Sequence, residues 1–353
     1  VDRASEIVDS VTAAGATGKR LAICGSASKR DWVPASHAGE LLSVSEHAGI
    51  EDYQPTELVI TARAGTAMSE IEQCLAREHQ MLAFEPPRYY GMGTFGGAVA
   101  CGHSGPNRPW GGALRDAVLG VDLVNGRGER LMFGGQVMKN VAGYDVSRLQ
   151  AGAYGSLGVL LAVSLRVQPL WESRSTTRLE LDIAQALQLT RKLARQPLPV
   201  TGTCWVEGGL YIRFAGDGSA VQRGQQGVGG DIDPQALLWN SVRDQQHDFF
   251  KASRMAQDRG EQALWRVSTP PAAELPECPA SDIMIEWGGG LRWIWHDDAE
   301  FVINYARKAG GWAWRRGDRL PVPALQRKYM GAIKQAFDPD AVFVSPLDFS
   351  DAD

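Results

Sequence analysis

Apolar Ile7, Val8 and Val11 recur at helical spacing within a polar stretch, so residues 5–17 read as a short amphipathic helix. The unbroken run Leu21-Ala22-Ile23-Cys24 has the pattern of a buried strand and empties into small residues. Further strands are expected over 41–44 and 57–62, the second broken at Gly65. Met68, Ile71, Cys74 and Leu75 fall at i, i+3, i+6 and i+7, which predicts a helix over 68–79. This βαββ-type order indicates an α+β subdomain that ends near Pro86-Pro87.

Strands are next expected over 117–124, 129–133 and 158–167. Asn125-Gly126 between the first two predicts a hairpin with positive φ at a type I′ turn. Beyond Pro169 the pattern restarts with a strand (177–181), a helix (183–195) and a hairpin-like pair (202–206 and 210–214). A last amphipathic helix, 325–337, stops at Asp338-Pro339. The resulting division is 1–170 (subdomains 1–87 and 88–170), 171–324, and a C-terminal segment 325–353. Seven of the eleven tryptophans lie between 171 and 295, where packing of a floor between domains and ligand binding are both open readings.

The chain has 353 residues, enough for two or three domains, and an ordinary globular composition. Its net charge of −5 contains no long run of one sign, which argues against a nucleic-acid surface or a polybasic membrane anchor. No apolar run approaches the roughly 18–20 residues that span a bilayer, and the first residues carry no signal-peptide pattern. Cys24, Cys74, Cys101, Cys204 and Cys278 are scattered, without a Cys-x-x-Cys pair. That spacing argues against zinc ribbons and iron–sulfur ligation within this chain, and it suits a reducing, cytoplasmic setting.

Glycine is the chemical signal. Seventeen of the forty glycines fall between Gly91 and Gly158, in clusters separated by strand patterns. Glycine concentrates where backbone takes positive φ or comes very close to something else. Upstream, Gly25-Ser26-Ala27-Ser28-Lys29 follows a strand, so its consecutive N–H groups can cradle a diphosphate. It matches neither a Walker A loop nor Gly-x-Gly-x-x-Gly, and a plain β-to-loop turn is the alternative. Thr94 with Gly96 and Gly97, and Gly155 through Gly158, form two further candidate ligand-lining turns.

These motifs resemble the vanillyl-alcohol oxidase / p-cresol methylhydroxylase flavoprotein family. The match runs through Tyr53-Gln-Pro-Thr-Glu-Leu-Val-Ile-Thr-Ala-Arg-Ala-Gly65, Thr94-Phe-Gly-Gly97, Arg115-Asp-Ala-Val-Leu-Gly120, Phe133 to Asp145, and Gly155-Ser-Leu-Gly-Val159. Within that family, Ile285-Glu-Trp-Gly-Gly-Gly-Leu-Arg-Trp293 is similar to the smaller flavin subunits of bacterial glycolate oxidases.

The resemblance implies an α+β fold: a two-subdomain p-cresol methylhydroxylase-type FAD-binding domain plus an α+β cap. It implies FAD held by Gly25, Ser26, Ala27, Ser28, Lys29, Thr94, Gly96, Gly97, Gly102, Arg115, Asp116, Val118, Gly155, Gly158 and Val159. Residues 24–30 contain no histidine, so non-covalent FAD is expected. Relatives that oxidise hydroxy acids use a metal held by cap histidines; only His247 and His296 lie in the cap here, so no metal is expected.

Arg292 is the candidate holder of a substrate carboxylate, with a structural salt bridge as the alternative. His103 is the candidate flavin-facing histidine, with a satisfied loop histidine as the alternative. Lys139 and Asn140 are candidates to neutralise a flavin or substrate charge. Implied partners are a larger homologous FAD subunit, an iron–sulfur subunit and a small 2-hydroxy acid. The activity implied is oxidation of glycolate to glyoxylate. A non-catalytic scaffold or electron-relay subunit and a free-standing oxidase remain open. The closing motif departs from the family pattern at Ser345 and Leu347, where Asn and Gly are usual.

Overall fold

The computed structural model describes residues 1–34, 39–135, 145–233, 237–251, 262–322 and 324–348. They form two compact units. The first gathers Val1–His103, Ala113–Leu170 and Gly317–Asp353, and the second gathers Ser104–Gly112 and Trp171–Arg316. The family's α+β character is borne out in both.

The first unit is built on a five-stranded antiparallel sheet. Its strand order is Ile50–Gln54, Val59–Arg63, Val159–Arg166, Val118–Val124, Arg130–Gly134. Val59–Arg63 and Val118–Val124 are largely buried on both faces and occupy interior positions, as mostly apolar runs should. Helix Met68–Arg77 buries Met68, Ile71 and Leu75 against this sheet, along with Phe95, Ala98 and Val99 of helix Phe95–Cys101. A second core joins Ile7, Val11 and Ala14 of helix Ala4–Thr17 to Leu21, Leu42, Leu161, Val342 and Phe343. There Leu21–Cys24 pairs in parallel with Glu40–Ser43.

Three local outcomes differ from the sequence pattern. Strand Ile50–Gln54 carries too little apolar alternation to be visible, and it forms because it pairs with Val59–Arg63. The glycine-rich segment after Thr94 is not flat loop but helix Phe95–Cys101, started by the Thr94 side chain accepting from Gly97 N at 3.2 Å. The hairpin after Val124 is not a two-residue type I′ turn. Positive φ falls on Gly128 (+76°), while Asn125 Oδ1 accepts from Arg127 N and Glu129 N at 3.0 Å each. Asn125 N donates to Glu129 O, which makes a three-residue loop with glycine at its left-handed position.

The second unit is an eight-stranded antiparallel sheet. Its order is Asp231–Ile232, Ser173–Glu180, Gly209–Gly216, Val200–Val206, Ile283–Glu286, Leu291–His296, Ala263–Ser268, Trp312–Arg315. Helices Ile183–Leu193, Gly218–Val228 and Ala299–Lys308 bury Leu187, Leu193, Val221, Val302 and Ala306 against Trp205, Ile212, Phe214, Trp265 and Ile294. Two of the sequence's clustered tryptophans, Trp205 and Trp265, are thus core residues of one sheet face.

Candidate cofactor site

Strand Leu21–Cys24 delivers the chain into residues 25–29 at the wall of a cavity of about 240 Å³ in the first unit. Gly25 is required by closeness: a Cβ there would stand 2.3 Å from Thr94 Oγ1. The two glycine-bearing segments therefore meet edge to edge, and Thr94, Gly96 and Gly97 line the same cavity. Ala27 takes φ +55°, a left-handed conformation rare for a residue with a Cβ, and it turns the loop sharply. Among the described residues, no acceptor takes the N–H groups of Ser26, Ala27, Ser28 or Lys29. Four successive backbone donors left over beside a cavity form a nest suited to phosphate oxygens. Lys29 adds positive charge, its Nζ standing 5.8 Å from the Tyr89 ring centroid.

The third wall comes from residues 154, 155, 158 and 160. Gly155 has φ +73° and packs on Ile23, whose Cδ1 would lie 3.1 Å from an added Cβ. Gly158 presses on the neighbouring strand, where a Cβ would meet Val124 O at 2.7 Å. The C-terminal segment closes the fourth side through Val344 and Pro346. It runs beside Leu21, with Leu21 N donating to Val342 O at 2.7 Å and Val344 N donating to Leu21 O at 3.0 Å. Buried Asp338 fixes this return by accepting from Val342 N (2.8 Å), Phe343 N (2.9 Å) and Lys334 Nζ. Lys334 also donates to Ser156 O at 2.8 Å, tying the C-terminal segment to the third wall.

Ten of the expected cofactor contacts come together here: Gly25, Ser26, Ala27, Ser28, Lys29, Thr94, Gly96, Gly97, Gly155 and Gly158. Five do not line this cavity. Gly102 ends helix Phe95–Cys101 with φ +66°. Arg115 and Asp116 sit exposed on the turn Leu114–Ala117, where Asp116 caps by accepting from Ala113 N at 2.9 Å. Val118 and Val159 are the buried first residues of two sheet strands.

Neither Arg292 nor His103 is among the residues that line the cavity. Arg292 is completely buried in the second unit. It donates from Nε to Gly289 O, from one terminal nitrogen to Glu274 O and from the other to Ala273 O. Burial draws its pKa down to about 10, still far above neutral pH, so a permanent charge is neutralised by carbonyl dipoles. Arg292 thus anchors a loop through three backbone carbonyls, the structural role that stood as the alternative to holding a carboxylate. His103 stands one residue back from the wall. Its Nε2 is 2.7 Å from Tyr154 Oη and its Nδ1 is 3.1 Å from Tyr89 Oη. Tyr154, not His103, lines the cavity.

Tyr154, Ala64, Cys101, Val344 and Pro346 are lining residues that the sequence reading passed over. For Tyr154 a signal existed, since it is the only bulky residue of Gly152-Ala-Tyr-Gly155. For the others none did, because they arrive by packing. Burial pushes the Cys101 thiol up to about 11, so at neutral pH it is an unreactive lining group. Among the described residues, no group of three His, Cys, Asp or Glu could hold a metal. Lys139 and Asn140 lie outside the described residues.

A model of the FAD binding domain matches residues 1–134. The glycolate oxidase subunit GlcE of Escherichia coli (strain K12) is 40% identical over 347 residues, covering 97% of this chain and 96% of that protein. The glycolate oxidase subunit GlcD of Bacillus subtilis (strain 168) is 30% identical over 118 residues, 33% of this chain and 25% of that protein. A solved alkyldihydroxyacetonephosphate synthase superposes with a TM-score of 0.67 at 14% identity, over 98% of this chain and 75% of that one, which speaks to fold alone.

Proposed function

This chain belongs to the FAD-binding glycolate oxidase subunits of the vanillyl-alcohol oxidase / p-cresol methylhydroxylase family, and from that premise we propose that it is the smaller flavin subunit of a multi-subunit enzyme that oxidises glycolate to glyoxylate. FAD is its cofactor. We place the diphosphate of FAD, held without a covalent bond, against residues 25–29. The observation that carries this placement is the run of N–H donors from Ser26 to Lys29, unclaimed among the described residues, beside a glycine-lined cavity.

When bound, FAD supplies a two-electron acceptor for hydride from a hydroxy-acid carbon. The chain's own residues bind and orient. The loop N–H groups and Lys29 neutralise phosphate charge, and Thr94 holds the loop and helix Phe95–Cys101 in register. Val344 and Pro346 cover the cavity on the side of the C-terminal segment. The five cysteines lack iron–sulfur spacing, so electrons leave this subunit through a partner that carries such a cluster. A larger homologous FAD subunit completes the assembly. No helix among the described residues is long and apolar enough to cross a membrane. We place the subunit in the cytoplasm, reaching the inner face of the membrane only through partners.

A second reading, a flavin-carrying scaffold or electron relay beside the larger catalytic subunit, is favoured by the internal use of Arg292. One experiment separates the two. The purified chain is examined by visible absorbance before and after anaerobic glycolate, then precipitated with acid. A flavin spectrum that bleaches, with flavin released to the supernatant, supports turnover on non-covalent FAD. A spectrum that persists supports the relay reading. Absence of flavin that reconstitution cannot restore sinks both.

A further inference from the structure

The walls of the cavity are not held equally. Strand Leu21–Cys24 is paired with Glu40–Ser43, helix Phe95–Cys101 is packed into the first core, and residues 154–158 lead into the interior strand Val159–Arg166. The fourth wall, Val344 and Pro346, belongs instead to an extended segment that follows helix Ala324–Phe337.

That segment has a root and a tip. At the root, Phe337 O accepts from Gly126 N at 2.9 Å, and the buried Asp338 carboxylate gathers Val342 N and Phe343 N. Val342 and Phe343 are members of the second core, and past Phe343 the chain leaves it. At the tip, Val344 N donates to Leu21 O at 3.0 Å and Leu320 N donates to Pro346 O at 2.9 Å. Leu347–Asp348 then pairs over two residues with Leu320–Pro321. A short stretch hung on backbone bonds beyond the edge of a core opens at a lower free energy than the core itself.

Lys334 ties this segment to the wall across from it. Its Nζ donates to Ser156 O at 2.8 Å, to Phe343 O at 3.2 Å and to the Asp338 carboxylate. One ammonium thus grips the third wall, the last core residue before the tip, and the carboxylate that shapes the root. A cavity of about 240 Å³ is smaller than the roughly 300–1,000 Å³ of typical small-molecule pockets. A wall therefore has to move for a dinucleotide to enter.

We propose that residues 344–346 form a strap that lifts to admit and release the cofactor, and that Lys334 is the latch that sets how often it lifts. The inference rests on reading this cavity as the FAD site, and it assigns to the C-terminal segment the kinetics of loading.

The test uses the full chain stripped of flavin and follows flavin fluorescence on mixing with FAD. In the unsubstituted chain the association rate should rise with FAD concentration and then level off at the lifting rate, a readout that needs no variant to fold. Lys334→Met should raise that ceiling about tenfold, the scale of a lost hydrogen bond to a charged group. Release should quicken by a similar factor, because the latch holds the empty and the loaded chain alike, so the dissociation constant should move less than about threefold. A lock gives the opposite result. A Cβ at Gly39 would stand 2.7 Å from Val344 Cγ2, so Gly39→Cys with Val344→Cys places two thiols within reach of a disulfide. Oxidised, that chain should take up and release FAD at least ~10-fold more slowly than the same chain reduced. An association rate that never levels off, equal rates in the oxidised and reduced chain, or a Lys334→Met chain that binds more weakly without faster association overturns the proposal. If the unsubstituted chain binds no FAD, the cavity reading falls and takes this one with it. If it binds without these signatures, only this one falls.

Discussion

Two strand-to-glycine turns in this protein look alike in sequence and do opposite things. Leu21–Cys24 runs into residues 25–29, and Ile283–Glu286 runs into Trp287-Gly288-Gly289-Gly290. In the first, the N–H groups from Ser26 to Lys29 are unclaimed among the described residues and a cavity opens beside them. In the second, several polar groups are engaged inside the protein. Gly288 N donates to Thr203 Oγ1 at 2.8 Å, Gly290 N donates to Trp287 O at 3.2 Å, and Gly289 O accepts from Arg292. The Trp287 indole N–H itself goes to Gly105 O at 3.0 Å. Glycine marks where backbone has to bend or approach closely; leftover donors mark where it has something else to hold.

Substitution at Gly25 should break the first turn most severely. Gly25→Ala puts a methyl against Thr94 Oγ1, so either Thr94 abandons its cap on Gly97 or the loop moves away. FAD affinity should fall at least ~10-fold, on the scale of overpacking a tight site. Equilibrium titration of the flavin-free chain reads this, and an unchanged affinity would mean the loop does not touch FAD.

The matching probe of the second turn is Arg292→Met. It removes the donors to three backbone carbonyls from a buried site and should cost about 2–4 kcal/mol of stability, seen in denaturant unfolding, with FAD affinity intact. Loss of substrate affinity without loss of stability would return Arg292 to the carboxylate-holder role. The smallest effect concerns pH, where each unit carries one comparable histidine. Burial holds His47 in the first unit and His247 in the second below the usual 6.5. Each accepts a backbone N–H at Nδ1, from Arg3 and Phe249 respectively, which requires the neutral ring. A lowered folded-state pKa means the unfolded chain takes up protons first, so stability is full above 6.5 and declines as pH falls below it. Thermal unfolding between pH 7 and 5 should show that decline, and His47→Gln and His247→Gln should each flatten it. A slope unaffected by both would place the acid sensitivity elsewhere.

Much of the framework was legible because it depends on near neighbours. The apolar periodicity of Met68, Ile71 and Leu75, the continuous run of Leu21–Cys24 and the clustering of glycines each constrain a few consecutive residues. The Asn125-Gly126 turn was misread because Asn125 spends its side chain on the backbone of its own loop, an interaction that dipeptide rules do not weigh. The acceptors of Arg292 were not legible, because the fold alone brings the carbonyls of Ala273 and Glu274 to its guanidinium.

By itself, then, the sequence determined the α+β class, the order of glycine-bearing turns that the FAD family shares, and the scatter of its five cysteines. Tertiary structure alone decided which polar groups are left to bind. Lys334 meets Ser156 O across 178 positions and His103 meets Tyr154 across 51, and no local pattern encodes either meeting. The physical reason is that most buried donors and acceptors must find a partner. Which ones remain for a ligand is known only after the fold has claimed the rest.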